Sequence, residues 1–196
     1  MYNDIIREMK DYAKENSVPI MTDSGINFLE NYIRQNNIKR ILEVGTAIGY
    51  SAIRMAMLDP DIYVTTIEKD EKRYLEAVKN VKKAGLESRI HLIYNDALTT
   101  KVDDSYELIF IDAAKAQNQR IFERFEANLT DDGVMITDNM KFHGLVDKDL
   151  EEIESKNLRQ LVRKVKEYTQ FLKGNVNYET EFLDVGDGIS ISRKVN

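Results

Sequence analysis

Arg40 to Ser51 reads RILEVGTAIGYS. Ile41, Leu42 and Val44 predict a short buried strand, and Gly45-Thr46-Ala47-Ile48-Gly49 predicts a turn into an amphipathic helix that opens at Tyr50. Glycine in such a turn lets a ligand approach the backbone, and N–H groups at a helix start can bind a polar or anionic group. Glu43 lies at the end of this strand and Glu68 at the end of the next, IYVTTIEKD. The second acid falls about 20 residues past the glycines, where a nucleotide-binding βαβ unit places the carboxylate that accepts from ribose hydroxyls. Ala47 stands where the second glycine of G-x-G-x-x-G would be, and no G-K-[ST] marks a P-loop.

Outward from this stretch, 196 residues give room for one full α/β core and are short of two. One domain over 1–196 is expected, with helices over 1–36 and the α/β core over 37–196. No apolar run approaches the roughly 18 residues of a membrane helix, so no membrane association is expected. The opening MYNDIIREMKDYAKEN lacks a signal peptide's apolar centre, and a cytoplasmic protein is expected. Zero cysteines exclude thiolate nucleophiles, disulfides and cysteine zinc sites. A net charge of −6 argues against a nonspecific coater of DNA while leaving room for a local basic patch.

Residues 3–15 space Ile5, Ile6, Met9 and Tyr12 at helical intervals, and this apolar face, needing a partner, predicts a homodimer. A second helix is expected over 25–35 with Asp23 or Ser24 as its N-cap. Helices over 50–58, 70–84, 117–129 and 158–172 then alternate with strands over 62–68, 89–94, 106–111 and 134–137. Gly85 closes the helix over 70–84, and Asp131-Asp132-Gly133 reads as a turn before the last of those strands. Strands over 178–183 and 188–193 close the chain, joined by the hairpin turn Val185-Gly186-Asp187-Gly188. The alternation predicts five parallel strands with a final antiparallel one.

Ligands of open α/β sheets sit beyond the carboxyl ends of the strands. Every such end here carries an acid: Glu43, Glu68, Asp96, Asp112, and Asp138 beside Asn139. Glu43, Glu68 and Asp96 form a candidate nucleoside set. Asp112, Asp138 and Asn139 offer two carboxylates and an amide oxygen, donors that suit a hard cation such as Mg²⁺. Lys115, three residues after Asp112, could point into the same pocket, where a lysine can take a hydroxyl proton or stabilise an oxyanion. The alternative is a solvated Lys115 and a plain turn at Asp138-Asn139.

Acid-x-Gly-x-x-x-Gly followed by a second acid resembles the S-adenosylmethionine pocket of a class I methyltransferase. From about residue 18 to 195 the chain resembles the cation-dependent O-methyltransferases, the group containing catechol and caffeoyl-coenzyme A O-methyltransferases. The resemblance rests on LEVGTAIGYS, Glu68, KKAGL, FIDAAK, the Asp138-Asn139 pair and the closing VGDGISISRK. It implies a Rossmann-like, seven-stranded, mostly parallel sheet in the order 3-2-1-4-5-7-6, flanked by helices. It implies Asp112, Asp138 and Asn139 as ligands of Mg²⁺ or Mn²⁺, and Lys115 with Asp112 as catalytic. Around S-adenosylmethionine it implies Met21, Glu43, Gly45, Ser51, Glu68, Asp96, Ala97 and Asp112. The plant enzymes read D-A-D-K-D-N-Y where this chain reads DAAKAQN, which argues against a caffeoyl-type acceptor.

The compact form resembles the bacterial subgroup that converts 5-hydroxyuridine at the tRNA wobble position to 5-methoxyuridine. Arg159, Arg163 and Lys166 are spaced three or four apart, a possible phosphate track for a tRNA anticodon loop, and Lys141 with His143 could border the same opening. A solvated helix face explains the same charges. Phe142 and Tyr168 could stack on a base, with a core role as the other reading, and His91 in a strand reads as structural. A small catechol or phenol is the alternative acceptor. A catalytically inactive subunit that binds the donor or RNA is the alternative of another class.

Overall fold

The computed structural model describes residues 2–195. Its strands are β1 (Arg40–Val44), β2 (Tyr63–Glu68), β3 (Ile90–Tyr94), β4 (Tyr106–Ile111), β5 (Leu129–Thr137), β6 (Tyr178–Leu183) and β7 (Ile189–Lys194). They form one sheet in the order β3-β2-β1-β4-β5-β7-β6. The pairs from β3 through β5 are parallel, and β7 runs antiparallel to both β5 and β6. Side chains alternate across the central strands, as period 2 requires. Ile41, Leu108 and Phe110 join the core on one face, while Leu42, Val44, Ile109 and Ile111 join the core on the other. A sheet buried on both sides needs such continuous apolar strands.

The first face is covered by α1 (Tyr2–Glu15), α2 (Asp23–Gln35), α3 (Tyr50–Ala56) and α4 (Glu71–Ala84). The second carries α5 (Asn118–Phe125) and α6 (Lys156–Gly174), where Phe122 meets Tyr168, Phe171 and Tyr178 edge-on. Asp70 caps α4 through the Arg73 N–H at 2.9 Å, and Gly85 ends it at φ 66°. No helix among the described residues is long and apolar enough to cross a membrane.

Four local expectations are corrected. The N-cap of α2 is Thr22, whose Oγ1 accepts from the Gly25 N–H at 3.2 Å, so Asp23 and Ser24 already lie in the first turn. The helix expected over 117–129 is shorter, Asn118–Phe125, and is flanked by 3₁₀ turns at Lys115–Gln117 and Glu126–Asn128, the second leading into β5 at Leu129. Asp131-Asp132-Gly133 does not precede β5 but bulges within it, where the register jumps from Tyr106↔Leu129 to Leu108↔Val134. A Cβ on Gly133 would stand 2.7 Å from Leu129 Cδ1, so any larger residue there would push the Leu129 and Thr130 side chains aside. His91 is exposed on the edge strand β3 and takes no part in the core.

The apolar face of α1 also finds its partner within the chain. Ile5, Met9 and Ala13 are buried, α1 packs on α4, and Lys83 pairs with Glu8 across the contact. The sequence argument for a second copy therefore lapses, since the surface that called for one is already covered.

Candidate active site

A cleft of about 470 Å³ opens at the carboxyl ends of β1, β2, β4 and β5. Its floor is the turn after β1. Gly45 holds φ 109° there, and a Cβ on it would stand 2.1 Å from the Asp112 carbonyl oxygen. The ends of β1 and β4 thus approach to a separation that only glycine permits. Ala47, at φ 46°, donates its N–H to Glu68 Oε2 at 2.8 Å. Glu68 Oε1 accepts from the Lys69 and Asp70 N–H groups at 2.9 and 2.8 Å. The acid at the end of β2 therefore fixes the glycine turn and the start of the next helix while lining the cleft.

Of the expected donor residues, Met21, Gly45, Glu68, Asp96, Ala97 and Asp112 line this cleft. Asp96 is held by the Leu98 N–H at 2.8 Å, and Met21 stands opposite on the segment before α2. Glu43 and Ser51 do not reach it. Glu43 is fully buried behind the turn, where Ser51 Oγ donates to one carboxylate oxygen and Thr66 Oγ1 to the other at 2.5 Å. Thr46 Oγ1 extends this network to Thr66 at 2.6 Å. Burial pushes the Glu43 carboxyl up to about 7 against the pull of the two hydroxyls, with Asp112 and Glu68 adding repulsion. These two residues brace the turn from behind.

The other end of the cleft gathers Asp112, Lys115, Asp138 and Asn139. Asp112 and Asp138 stand side by side because their N–H groups extend the ladder, to Val44 O at 2.9 Å and Ile111 O at 3.1 Å. Asn139 follows at φ 63° and donates its N–H to Asp138 Oδ1 at 2.7 Å. The 3₁₀ turn at Lys115–Gln117 returns Lys115 over the pair, 4.0 Å from Asp112 Oδ1, and its ammonium donates to Asn139 Oδ1. Burial and the neighbouring Asp112 push Asp138 up to about 7. Burial also raises Asp112, with the Lys115 charge opposing it. Two crowded carboxylates and an amide oxygen form an all-oxygen set short of positive charge, which fits a hard divalent cation. Among the described residues no cluster of three or more histidine, aspartate or glutamate side chains offers a rival set.

The cationic row is placed elsewhere. Arg159, Arg163 and Lys166 lie on α6, and neither they nor Lys141 line the cleft. Lys166 donates to the Lys148 carbonyl at 3.0 Å, Lys141 pairs with Asp184 at 2.7 Å, and Arg163 borders a separate groove with Ala116 and Lys164. Tyr168 is core, bonded to Thr137 Oγ1 at 2.9 Å. Phe142 is not core, for it lines the cleft beside His143, their ring centroids 5.8 Å apart and tilted by 31°. Lys69, Arg73, Asn95, Gln117 and Asp187 complete the walls. Lys69, Asn95, Gln117 and Asp187 fall within or beside stretches the sequence singles out, whereas Arg73, in the first turn of α4, carries no such signal.

Comparison with known proteins agrees with this geometry. A family model described as O-methyltransferase matches residues 2–195. A caffeoyl-CoA O-methyltransferase of Populus kitakamiensis is 28% identical over 194 residues, spanning 95% of this chain and 82% of that protein. A crystal structure from Staphylococcus aureus, provisionally assigned as a caffeoyl-CoA O-methyltransferase, is 40% identical. It superposes with a TM-score of 0.93 over 97% of this chain and 92% of that one. A Podospora anserina methyltransferase crystallised with S-adenosylhomocysteine shares the fold at a TM-score of 0.89 and 21% identity, covering 98% of this chain and 88% of that one. The sheet order and its flanking helices are those of the Rossmann-like methyltransferase fold.

Proposed function

The chain belongs to the O-methyltransferase family, and we propose that its acceptor is the 5-hydroxyl of a uridine at the tRNA wobble position. It is an S-adenosylmethionine-dependent O-methyltransferase. The observation that carries the reading is the convergence of Asp112, Lys115, Asp138 and Asn139 at one end of a cleft whose other end is the glycine turn.

The Gly45 turn, Glu68, Asp96 and Ala97 would hold the donor, with Met21 covering it. Asp112, Asp138 and Asn139 would hold Mg²⁺ or Mn²⁺, which lowers the pKa of a bound hydroxyl when present. Lys115 presents its ammonium beside these ligands, where it stabilises the acceptor oxygen as an oxyanion once the hydroxyl proton has passed to solvent water. That oxygen then bonds the methyl carbon as the carbon–sulfur bond breaks, its electron pair staying on sulfur and S-adenosylhomocysteine leaving. The residues at both ends of the cleft keep these atoms in line, and positioning of this kind supplies much of the rate.

Support for a flat base comes from the Phe142–His143 ring pair at the cleft wall, a surface on which a single-stranded base could stack. Nucleoside mass spectrometry of tRNA from cells with and without the gene tests this. Loss of 5-methoxyuridine with build-up of 5-hydroxyuridine is expected. The second reading, a small catechol acceptor, is favoured by the name of the poplar relative, and an unchanged tRNA profile would select it.

A further inference from the structure

The hairpin turn at 185–188 takes no part in the reaction above, yet it is wedged between both walls of the cleft. Asp187 Oδ1 accepts from the His143 N–H at 2.5 Å. Its Oδ2 is buried without a hydrogen-bond partner, 3.5 Å from His143 Nδ1, in a side chain only 10% exposed. The Asp187 carbonyl accepts from the Lys141 N–H at 2.8 Å, and the Gly188 carbonyl accepts from the Met140 N–H at 2.9 Å. A Cβ on Gly188 would stand 2.8 Å from the Lys141 nitrogen, so glycine is needed for this approach. On its other side the turn sits on the start of α2, where a Cβ on Gly186 would be 3.2 Å from Gly25 Cα.

The segment so held is unusual. Asn139, Phe142, His143 and Gly144 all adopt left-handed backbone, with φ of 63°, 45°, 57° and 75°. Three of the four carry side chains, two of them bulky, and each is disfavoured there. Such a segment persists only when its surroundings over-determine it. Asp187 and Gly188 between them accept from three of its N–H groups, while Lys115 and Asp138 hold Asn139 and Asp184 pairs with Lys141. A carboxylate accepting a backbone N–H is among the stronger hydrogen bonds available for the purpose.

We propose that Asp187 is a positioning residue of the methyl-transfer site. Its carboxylate holds the 139–144 segment in the conformation that turns Asn139 toward Asp138 and the Phe142–His143 rings into the cleft. The proposal rests on the reading of Asn139 as a cation ligand. Supporting groups of this kind typically change metal affinity or activity by about 10–100-fold when removed.

The test uses Asp187→Ala and Asp187→Asn in the full chain. Three measurements are needed: Mn²⁺ binding by electron paramagnetic resonance, S-adenosylhomocysteine binding by calorimetry, and kinetics with whichever acceptor, 5-hydroxyuridine RNA or catechol, the wild type methylates. In Asp187→Ala, Mn²⁺ affinity should fall and acceptor KM rise by at least about tenfold, with S-adenosylhomocysteine affinity within twofold of wild type. Asp187→Asn keeps an oxygen for the His143 N–H and should recover both to within about threefold.

Unchanged Mn²⁺ affinity and KM in Asp187→Ala would overturn the proposal. So would loss of S-adenosylhomocysteine binding in step with the other two, which marks a general folding role. An asparagine variant as impaired as the alanine one would overturn it as well. If the wild type binds no Mn²⁺, the cation reading fails separately, and an unchanged acceptor KM in Asp187→Ala then decides against Asp187.

Discussion

Lys115 donates to the side-chain oxygen of Asn139, 24 residues further along the chain, and so bridges the ends of two adjacent strands. The bond places a fixed positive charge beside two carboxylates that burial has already made reluctant to ionise. Replacing Lys115 by methionine keeps the stem and removes the charge. Turnover should drop by about 10²–10⁴-fold, with S-adenosylhomocysteine affinity unchanged by calorimetry. An equal loss of donor binding would mean that Lys115 shapes the cleft as a whole.

Cation binding should depend on pH in a predictable sense. Asp138 is pushed up to about 7 by burial and Asp112, so below that pH it retains its proton and makes a poor ligand. Mg²⁺ should therefore raise the melting temperature at pH 8 and have little effect at pH 5.5. At a hundredfold excess over its Kd the stabilisation is about 2.7 kcal/mol. Asp138→Asn should abolish the shift, and chelation should stop methyl transfer by the wild type.

Glu43 predicts a second pH effect, independent of any ligand. Its folded-state pKa of about 7 lies above the ordinary glutamate value of 4.5, so the native state binds the extra proton between those limits. Stability from this group is complete below about 4.5 and is lost as pH rises through 7. Glu43→Gln carries no such penalty. Its stability relative to wild type should increase by about 3 kcal/mol between pH 4.5 and 8, measured by urea denaturation at each pH. A difference that does not vary with pH would contradict the assigned burial effect.

Gly45→Ala should be among the most damaging single methyl additions. The new Cβ would overlap the Asp112 carbonyl at 2.1 Å, and alanine is strained at φ 109°. Separating the ends of β1 and β4 should cost at least about 3 kcal/mol in denaturant titrations. S-adenosylhomocysteine binding should fall with it, because the same turn forms the cleft floor.

The framework was legible because its signals are local. Strands 106–111 and 178–183 were bounded to the residue, since alternation and turn residues mark both ends. Asp112, Asp138, Asn139 and Lys115 were legible as a group because each lies at or just past a strand end. Glu43 satisfied the same rule yet points behind the turn. One step along β1 reverses the face, and Ser51 and Thr66 then enclose it. Phe142 and His143 were legible as candidates beside the opening, but the hold of Asp187 on His143 was not, since it joins positions 44 residues apart through a left-handed loop. The basic row on α6 had the right spacing, but spacing gives only a common face, and this one does not border the cleft.

β7 lies between β5 and β6, although the chain makes it after both. During synthesis β5 therefore remains an open parallel edge, able to pair with any passing strand, until the residues of β7 emerge. The turn that secures Met140, Lys141 and His143 immediately precedes β7. The hairpin that fills the gap between β5 and β6 thus also fixes one wall of the cleft.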